Sequence, residues 1–181
     1  LAVETMPAMV HDVLQAHEVI EAPWLPGRAE ACLWVSERDW VYAVNFTVDD
    51  QVGTHTLHLQ GLDTIVDIYL NDEKVGEHSN MVMPLRLDVT HVIRRENTLV
   101  LHFHTVFDMS GDEPEPLDCV DGDPQRPVRR PRQNYNTYLG PHPYFSRVGV
   151  FGDVILETVT KAEITQLRLD ASVDKTLSEG L

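Results

Sequence analysis

Two histidines that are separated by one residue, His102 and His104, are the clearest candidates for chemistry in this sequence. In a β-strand, side chains two positions apart point to the same face, so both imidazoles could ligate one metal ion. Asp108 follows them, but its spacing is poor for the acidic ligand of such a site. The pattern favours a simpler interpretation, in which Leu101 and Phe103 face the core and the two histidines face outwards.

Tryptophan and arginine side chains form a second group of candidates. Trp24 and Trp34 could stack on sugar rings, although indole rings more often anchor a core or an interface. An arginine cluster could clamp a carboxylate or a phosphate, or it could offset the acidic run that precedes it. Its members are Arg126, Arg129, Arg130 and Arg132. The sequence contains no motif for a phosphate cradle, a nucleophile elbow or a zinc-protease helix.

Short strands are the elements that must position these residues. Apolar and polar residues alternate with a period of two in several segments, which is typical of strands with one buried face. These segments are 42–48, 57–59, 66–70, 85–89, 99–103, 154–159 and 164–169. Turn-forming residues, Asn71-Asp72 among them, separate the segments, and helical spacing occurs only in 7–17. The pattern predicts an all-β, jelly-roll antiparallel β-sandwich with one short N-terminal helix.

Length, charge and cysteine content exclude several classes of protein. The 181 residues are too few for a closed (β/α)₈ barrel, which needs about 250. The 14 Lys and Arg residues stand against 29 Asp and Glu residues, and the net charge of −15 disfavours nucleic acid and anionic membranes as partners. Cys32 and Cys119 lack Cys-x-x-Cys spacing, which predicts free thiols and a cytoplasmic location. The first seven residues have no signal-peptide pattern and no initiating Met, which suggests a piece of a longer protein.

Four segments carry an ordered resemblance to one known family. Residues 6–14 look like its Pro-Gly-x-Val-His-x-x-Leu opening, and 33–42 look like its Trp-Val-x-x-x-Asp-Trp-x-Tyr segment. Residues 61–71 are similar to its Gly-Leu-Asp-Thr-x-Ala-x-Ile-Tyr-Leu-Asn signature, and 148–157 are similar to its Gly-Ile-x-x-x-Val-x-Leu-Glu closing strand. The chain thus resembles the N-terminal, sugar-binding-like domain of glycoside hydrolase family 2, in its β-mannosidase branch.

The resemblance implies a domain organisation and a role. Residues 1–157 would form a galactose-binding-domain-like sandwich, and 158–181 would form a linker and the first strand, 162–169, of a truncated immunoglobulin-like domain. In the family, two Glu residues on a later (β/α)₈ barrel carry out retaining hydrolysis without a cofactor. This chain is therefore expected to be a non-catalytic scaffold and pocket rim. Its expected partners are the missing C-terminal domains and a carbohydrate substrate.

One segment departs from the family pattern at the place where the branch contacts its sugar. The resemblance implies that Asn136, Thr137 and Tyr138 lie on the pocket rim. The branch usually carries Trp-Asp-Trp directly before Gly-Pro, whereas this chain has Thr137, Tyr138 and Leu139 there. A carboxylate acceptor is thus absent, and Tyr138 offers a hydroxyl instead. The departure predicts a parent enzyme that prefers another sugar or has lost activity.

Two alternative functions stay open from the sequence. The first is a free-standing carbohydrate-binding module that uses Trp24, Trp34 or Tyr138 as stacking platforms. The second is a cupin-like metal-binding protein in which His102 and His104 are ligands.

Overall fold

Three antiparallel sheets make up the described part of the chain. The structure is a computed structural model, and it describes residues 1–49, 52–105, 147–162, 164 and 166–172. The helices are α1 (Val10–Ala16) and α2 (Leu33–Ser36), and a 3₁₀ turn at Glu30–Cys32 precedes α2. The strands are β1 (Ala8–Met9), β2 (Trp40–Thr47), β3 (Thr54–Leu59), β4 (Leu62–Asp63), β5 (Ile65–Leu70), β6 (Glu73–His78), β7 (Leu85–Asp88), β8 (Glu96–His104), β9 (Gly149–Val150) and β10 (Val154–Val159).

The two larger sheets enclose the core, which confirms the predicted β-sandwich. One sheet has the strand order β2-β8-β5-β6, the other has β10-β3-β7, and a small sheet has β1-β9-β4. A single cluster of buried apolar side chains draws on both larger sheets and on α1. Because each fully buried Leu, Ile, Val or Phe side chain contributes about 1.5–3 kcal/mol, this cluster supplies the main driving force for folding.

The alternating pattern read from the sequence is the burial pattern of the central strands. In β8, Leu99, Leu101 and Phe103 are buried, while the residues between them are partly exposed. In β5, Ile68 lies opposite Leu101 and is likewise buried. Since opposite residues of paired strands share a face, the two strands present one continuous apolar surface to the core.

The hairpin between β5 and β6 confirms the predicted turn at Asn71-Asp72. Both residues have positive φ angles, 54° and 69°, as a two-residue hairpin turn of the primed type requires. The Asn71 side chain also binds outside the turn: its Nδ2 donates to Val92 O and to Asn97 Oδ1, both at 2.9 Å. The turn is therefore tied to the segment that leads into β8.

The structure differs from the sequence-based predictions at three places. Helix α1 is shorter than 7–17, because residues 8–9 form β1 and pair with β9. The single-turn helix α2 and the strand β6 were not predicted; β6 is polar, as an edge strand can be. The described residues of 164–169 form no ladder, and Ile164, Leu167 and Leu169 are exposed. The strand predicted there, as the start of a following domain, stays a prediction. No described helix is long and apolar enough to cross a membrane.

Gly149 occupies a position that no other residue fits without strain. It lies between Met9 of β1 and Asp63 of β4, and its φ angle is +133°. A Cβ atom added there would lie 2.6 Å from the Tyr42 hydroxyl and 3.1 Å from the Ala8 carbonyl oxygen. Those two atoms are themselves joined by a hydrogen bond of 2.9 Å. Because Gly149 has no Cβ atom, the small sheet can lie close to the Tyr42 side chain of β2.

The substitution Gly149→Ala should lower the free energy of unfolding by about 3 kcal/mol, because it adds both backbone strain and a clash. Gly27→Ala is the matched control: Gly27 has a φ of +75° but open space around it, so only the backbone cost of about 1 kcal/mol applies. Urea unfolding of both variants measures the difference. Equal losses in the two variants would show that the contact with Tyr42 does not constrain position 149.

Candidate functional site

An apolar groove of about 630 Å³ runs beside β2. Its walls come from the N-terminal residues, α1, β2 and β10, and include Leu1, Val3, Val13, Val44 and Val154. Within the described residues, β2 is the edge strand of its sheet. The groove is thus an apolar surface beside an uncovered strand edge, the kind of surface that proteins use for contacts.

Two aromatic residues of β2 shape this groove. Tyr42 donates its hydroxyl hydrogen to Ala8 O at 2.9 Å and packs edge-on against Phe103, with 5.6 Å between ring centroids. Burial, assisted by the Asp12 carboxylate, raises the pKa of Tyr42, so its hydroxyl stays a neutral donor. Trp40 donates its Nε1 hydrogen to Val35 O at 2.8 Å. Both rings are therefore fixed by the fold.

His102 and His104 lie on the outer face of the four-stranded sheet, where β8 is flanked by β2 and β5. The outward position agrees with the interpretation that the sequence favoured. Asp39 accompanies them: its Oδ2 lies 3.1 Å from His102 Nε2 and 3.2 Å from His104 Nδ1. Among the described residues, this trio is the group of potential metal ligands whose ligand atoms lie within 4.8 Å of one another. Asp108, the acidic ligand considered from the sequence, lies outside the described residues.

The sequence did not identify Asp39, and the pairing of strands explains why it joins the histidines. Asp39 precedes β2 by one residue, and Trp40 pairs with Phe103, so Asp39 is level with His104. Its Oδ1 accepts a hydrogen bond of 2.9 Å from the Thr105 amide. Partial burial raises the pKa of Asp39, but the Thr105 amide and the two histidines outweigh it and hold the pKa below its usual value.

A second carboxylate continues the network on the far side of His104. Asp67 of β5 lies with its Oδ2 3.0 Å from His104 Nε2, and its Oδ1 lies 2.8 Å from Lys74 Nζ. The hydrogen bond from the Lys74 ammonium lowers the pKa of Asp67; burial opposes this effect, and His104 adds to it. The polar network therefore extends from Asp39 through His104 and Asp67 to Lys74.

The remaining candidate residues from the sequence are either exposed in the structure or lie outside the residues that it describes. Trp24 and Trp34 are 59% and 37% exposed, and Trp34 contacts Trp40 with 5.9 Å between ring centroids. Asn136, Thr137 and Tyr138 lie outside the described residues, as do Cys119 and the arginine cluster at 126–132. The assignment of residues 136–138 to a pocket rim stays a prediction.

Comparison with known proteins identifies the kind of domain. The model of the family described as glycosyl hydrolase 2 galactose-binding domain-like matches residues 1–151. The chain belongs to this family. The match spans α1 and the strands from β1 to β9, and therefore includes the Asp39–His102–His104 trio and every groove residue named above except Val154 of β10.

Several β-mannosidases are similar to the chain along nearly its whole length. β-Mannosidase B of Thermothelomyces thermophilus is 29% identical over 190 residues, which cover 99% of this chain and 22% of that protein. β-Mannosidase of Rattus norvegicus is 24% identical, over 95% of this chain and 21% of that protein. The chain thus spans about a fifth of the length of these relatives. A solved β-D-mannosidase from Dictyoglomus thermophilum has the same fold, with a TM-score of 0.77 and 24% identity over 92% of this chain and 21% of that one.

His11, in the opening motif of the glycosyl hydrolase 2 domain, is buried in α1 with 3% of its surface exposed. Burial, together with the positive charge of Arg147, lowers the pKa of His11 to about 4, against an opposing hydrogen bond with the Cys32 backbone. The folded chain therefore keeps this imidazole neutral under conditions in which an unfolded chain, with a pKa of about 6.5, takes up a proton.

The free energy of unfolding should consequently fall as the pH decreases from about 6.5 towards 4, since the unfolded state binds more protons in that range. This residue alone accounts for about 2 kcal/mol between pH 7 and pH 5. In His11→Gln, urea unfolding should show a difference between the two pH values that is smaller by that amount. Leu14→Ala is the control, because it destabilises the same helix at both pH values equally. An unchanged pH dependence in His11→Gln would contradict the assignment.

Proposed function

We propose that this chain is the non-catalytic N-terminal sandwich of a β-mannosidase-like, retaining glycoside hydrolase, in which it supports a barrel domain and forms part of the rim of its sugar pocket. One observation carries the proposal. The relatives named β-mannosidase align with almost all of this chain, and the chain accounts for only about a fifth of their length. The partners that follow from it are the other domains of the same polypeptide and a carbohydrate substrate.

The size of the chain supports a role without catalysis of its own. The two catalytic Glu residues that the family resemblance implies belong to a (β/α)₈ barrel, and such a barrel needs about 250 residues. This chain has 181 residues, and the part of it that the structure describes forms a sandwich. Hydrolysis, and the retention of configuration that goes with it, would therefore belong to the rest of the parent protein.

The edge of β2 supports the role of a scaffold. Val41 and Val44 are 61% and 52% exposed on this strand, beside the apolar groove. Exposed apolar groups on an edge strand are a liability in a free domain, because they invite pairing with other chains. A domain that functions inside a larger protein has a neighbour to cover such an edge. A cytoplasmic location stays a prediction.

A free-standing carbohydrate-binding module is the second candidate function. The exposed indole ring of Trp24 favours it, because an indole in water is a ready platform for a sugar face. The two candidates share Tyr138, which could lie on the pocket rim or serve the module as a stacking platform, and they differ at Trp24, which would contact sugar only in the module.

The test begins with the open reading frame of the parent protein downstream of Leu181. We expect a (β/α)₈ barrel with a glutamate at the ends of two strands, and hydrolysis of 4-nitrophenyl glycosides, assayed with mannoside, galactoside and glucuronide. In the intact protein, Tyr138→Phe should raise KM about 5-fold through the loss of one hydrogen bond. Trp24→Ala is the matched control and should leave KM unchanged.

Two results would contradict the proposal. A stop codon directly after Leu181, or a downstream sequence without barrel glutamates, would remove the enzyme that the sandwich is proposed to support. Measurable heat when the 181-residue chain is titrated with mannose, galactose or glucuronic acid oligomers, lost in Trp24→Ala, would favour the module instead.

A further inference from the structure

We propose that Asp39, His102 and His104 form a binding site for a divalent transition-metal cation of the zinc class, on the outer face of the four-stranded sheet. The proposal rests on side chains outside the apolar groove, and it does not depend on the proposed function.

The spacing of the three ligand atoms fits one small ion. Zinc binds imidazole nitrogen and carboxylate oxygen at about 2.0–2.2 Å, and two ligands at a tetrahedral angle then lie about 3.3 Å apart. Asp39 Oδ2 lies 3.1 Å from His102 Nε2 and 3.2 Å from His104 Nδ1. These two separations suit one bound ion, and all three ligand atoms lie within 4.8 Å of one another.

The hydrogen-bonding capacity of His104 points to a cation at this place. Both of its ring nitrogens face carboxylate oxygens: Nδ1 faces Asp39 at 3.2 Å, and Nε2 faces Asp67 at 3.0 Å. A neutral imidazole carries one N–H, and an ionised carboxylate only accepts. With Nε2–H donated to Asp67, the lone pair of Nδ1 would face an oxygen lone pair. Only a positive charge between Nδ1 and Asp39, either a proton or a metal ion, turns this contact into an attraction.

A metal ion accounts for more of the geometry than a proton does. His102 Nε2 lies close to the same oxygen of Asp39 as His104 Nδ1, so one ion at this oxygen would join all three groups, whereas a proton between Asp39 and His104 would join only two. The other oxygen of Asp39 is already held by the Thr105 amide at 2.9 Å, which leaves Oδ2 for the ion. The two imidazole rings lie 4.3 Å apart between centroids, so both reach the same space.

The surroundings resemble the outer shell of known zinc sites. Metal-binding histidines commonly donate their second N–H to a carboxylate, which fixes the tautomer and orients the ring. Asp67 is placed to accept in this way from His104, and Lys74 fixes Asp67 in turn. Two imidazoles with one carboxylate suit zinc and its neighbours rather than calcium or magnesium, which prefer all-oxygen sites. Three protein ligands leave a fourth position for water or another ligand.

The experiment is a Zn²⁺ titration of the 181-residue chain without a histidine tag, in competition with a chromophoric chelator. One Zn²⁺ per chain is expected. Asp39→Asn and His104→Asn should each weaken binding at least 100-fold; the Asn side chain at 39 keeps an acceptor for Thr105. Asp67→Asn removes only the orienting carboxylate, so a 10–100-fold loss is expected. Co²⁺ in place of Zn²⁺ should give the visible absorption of a site with nitrogen and oxygen ligands and no thiolate band.

His58→Asn is the matched control. His58 Nε2 lies 2.8 Å from Glu157 Oε2 on the opposite sheet, in a histidine–carboxylate pair without a second imidazole. Zn²⁺ affinity should be unchanged in this variant. Urea unfolding confirms that each variant is folded, and His102→Asn replaces His104→Asn if the latter does not fold. Absence of stoichiometric binding, or equal affinity in all variants, would overturn the proposal.

Discussion

The register of β8 is the constraint on which the rest of the structure depends. This strand pairs with β2 on one side and with β5 on the other, along most of its length. Because side chains alternate between faces, a slip of one residue would bury His102 and His104 and expose Leu101 and Phe103. The core and the outer polar network are therefore two consequences of one alignment, and the cost of desolvating two imidazoles favours the observed one.

The sequence predicted those features that depend on local pattern. The alternation of apolar residues was enough to place β8 and its neighbours, and to put both histidines on one outward face. The alternation could not predict that Asp39 joins the two histidines. Asp39 is 63 positions from His102 in the sequence, and only the pairing of β2 with β8 brings them together. The polar edge strand β6 lacks the alternation that marks a buried face, so no pattern indicated it. Residues 164–169 have the alternation, but the described part of the chain pairs no strand with them, and the strand predicted there stays a prediction.

The two faces of the four-stranded sheet differ in the side chains that they carry. The inner face carries Leu101 and Phe103 and holds the sandwich together, while the edge of β2 exposes apolar side chains in the described part of the chain. The outer face carries a series of polar contacts, from Asp39 through His104 to Asp67 and Lys74. This glycosyl hydrolase 2 domain thus presents an apolar surface and, in our proposal, a cation site on the same sheet.

Cross-strand nuclear Overhauser effects in the isotopically labelled chain test the register of β8 most directly. The account predicts contacts from Leu101 to Tyr42 on one side and to Ile68 on the other, together with a contact between the rings of Tyr42 and Phe103. Contacts from His102 to Tyr42 and Ile68 in their place would show that the strand is shifted by one residue. That result would contradict both the core and the cation site described above.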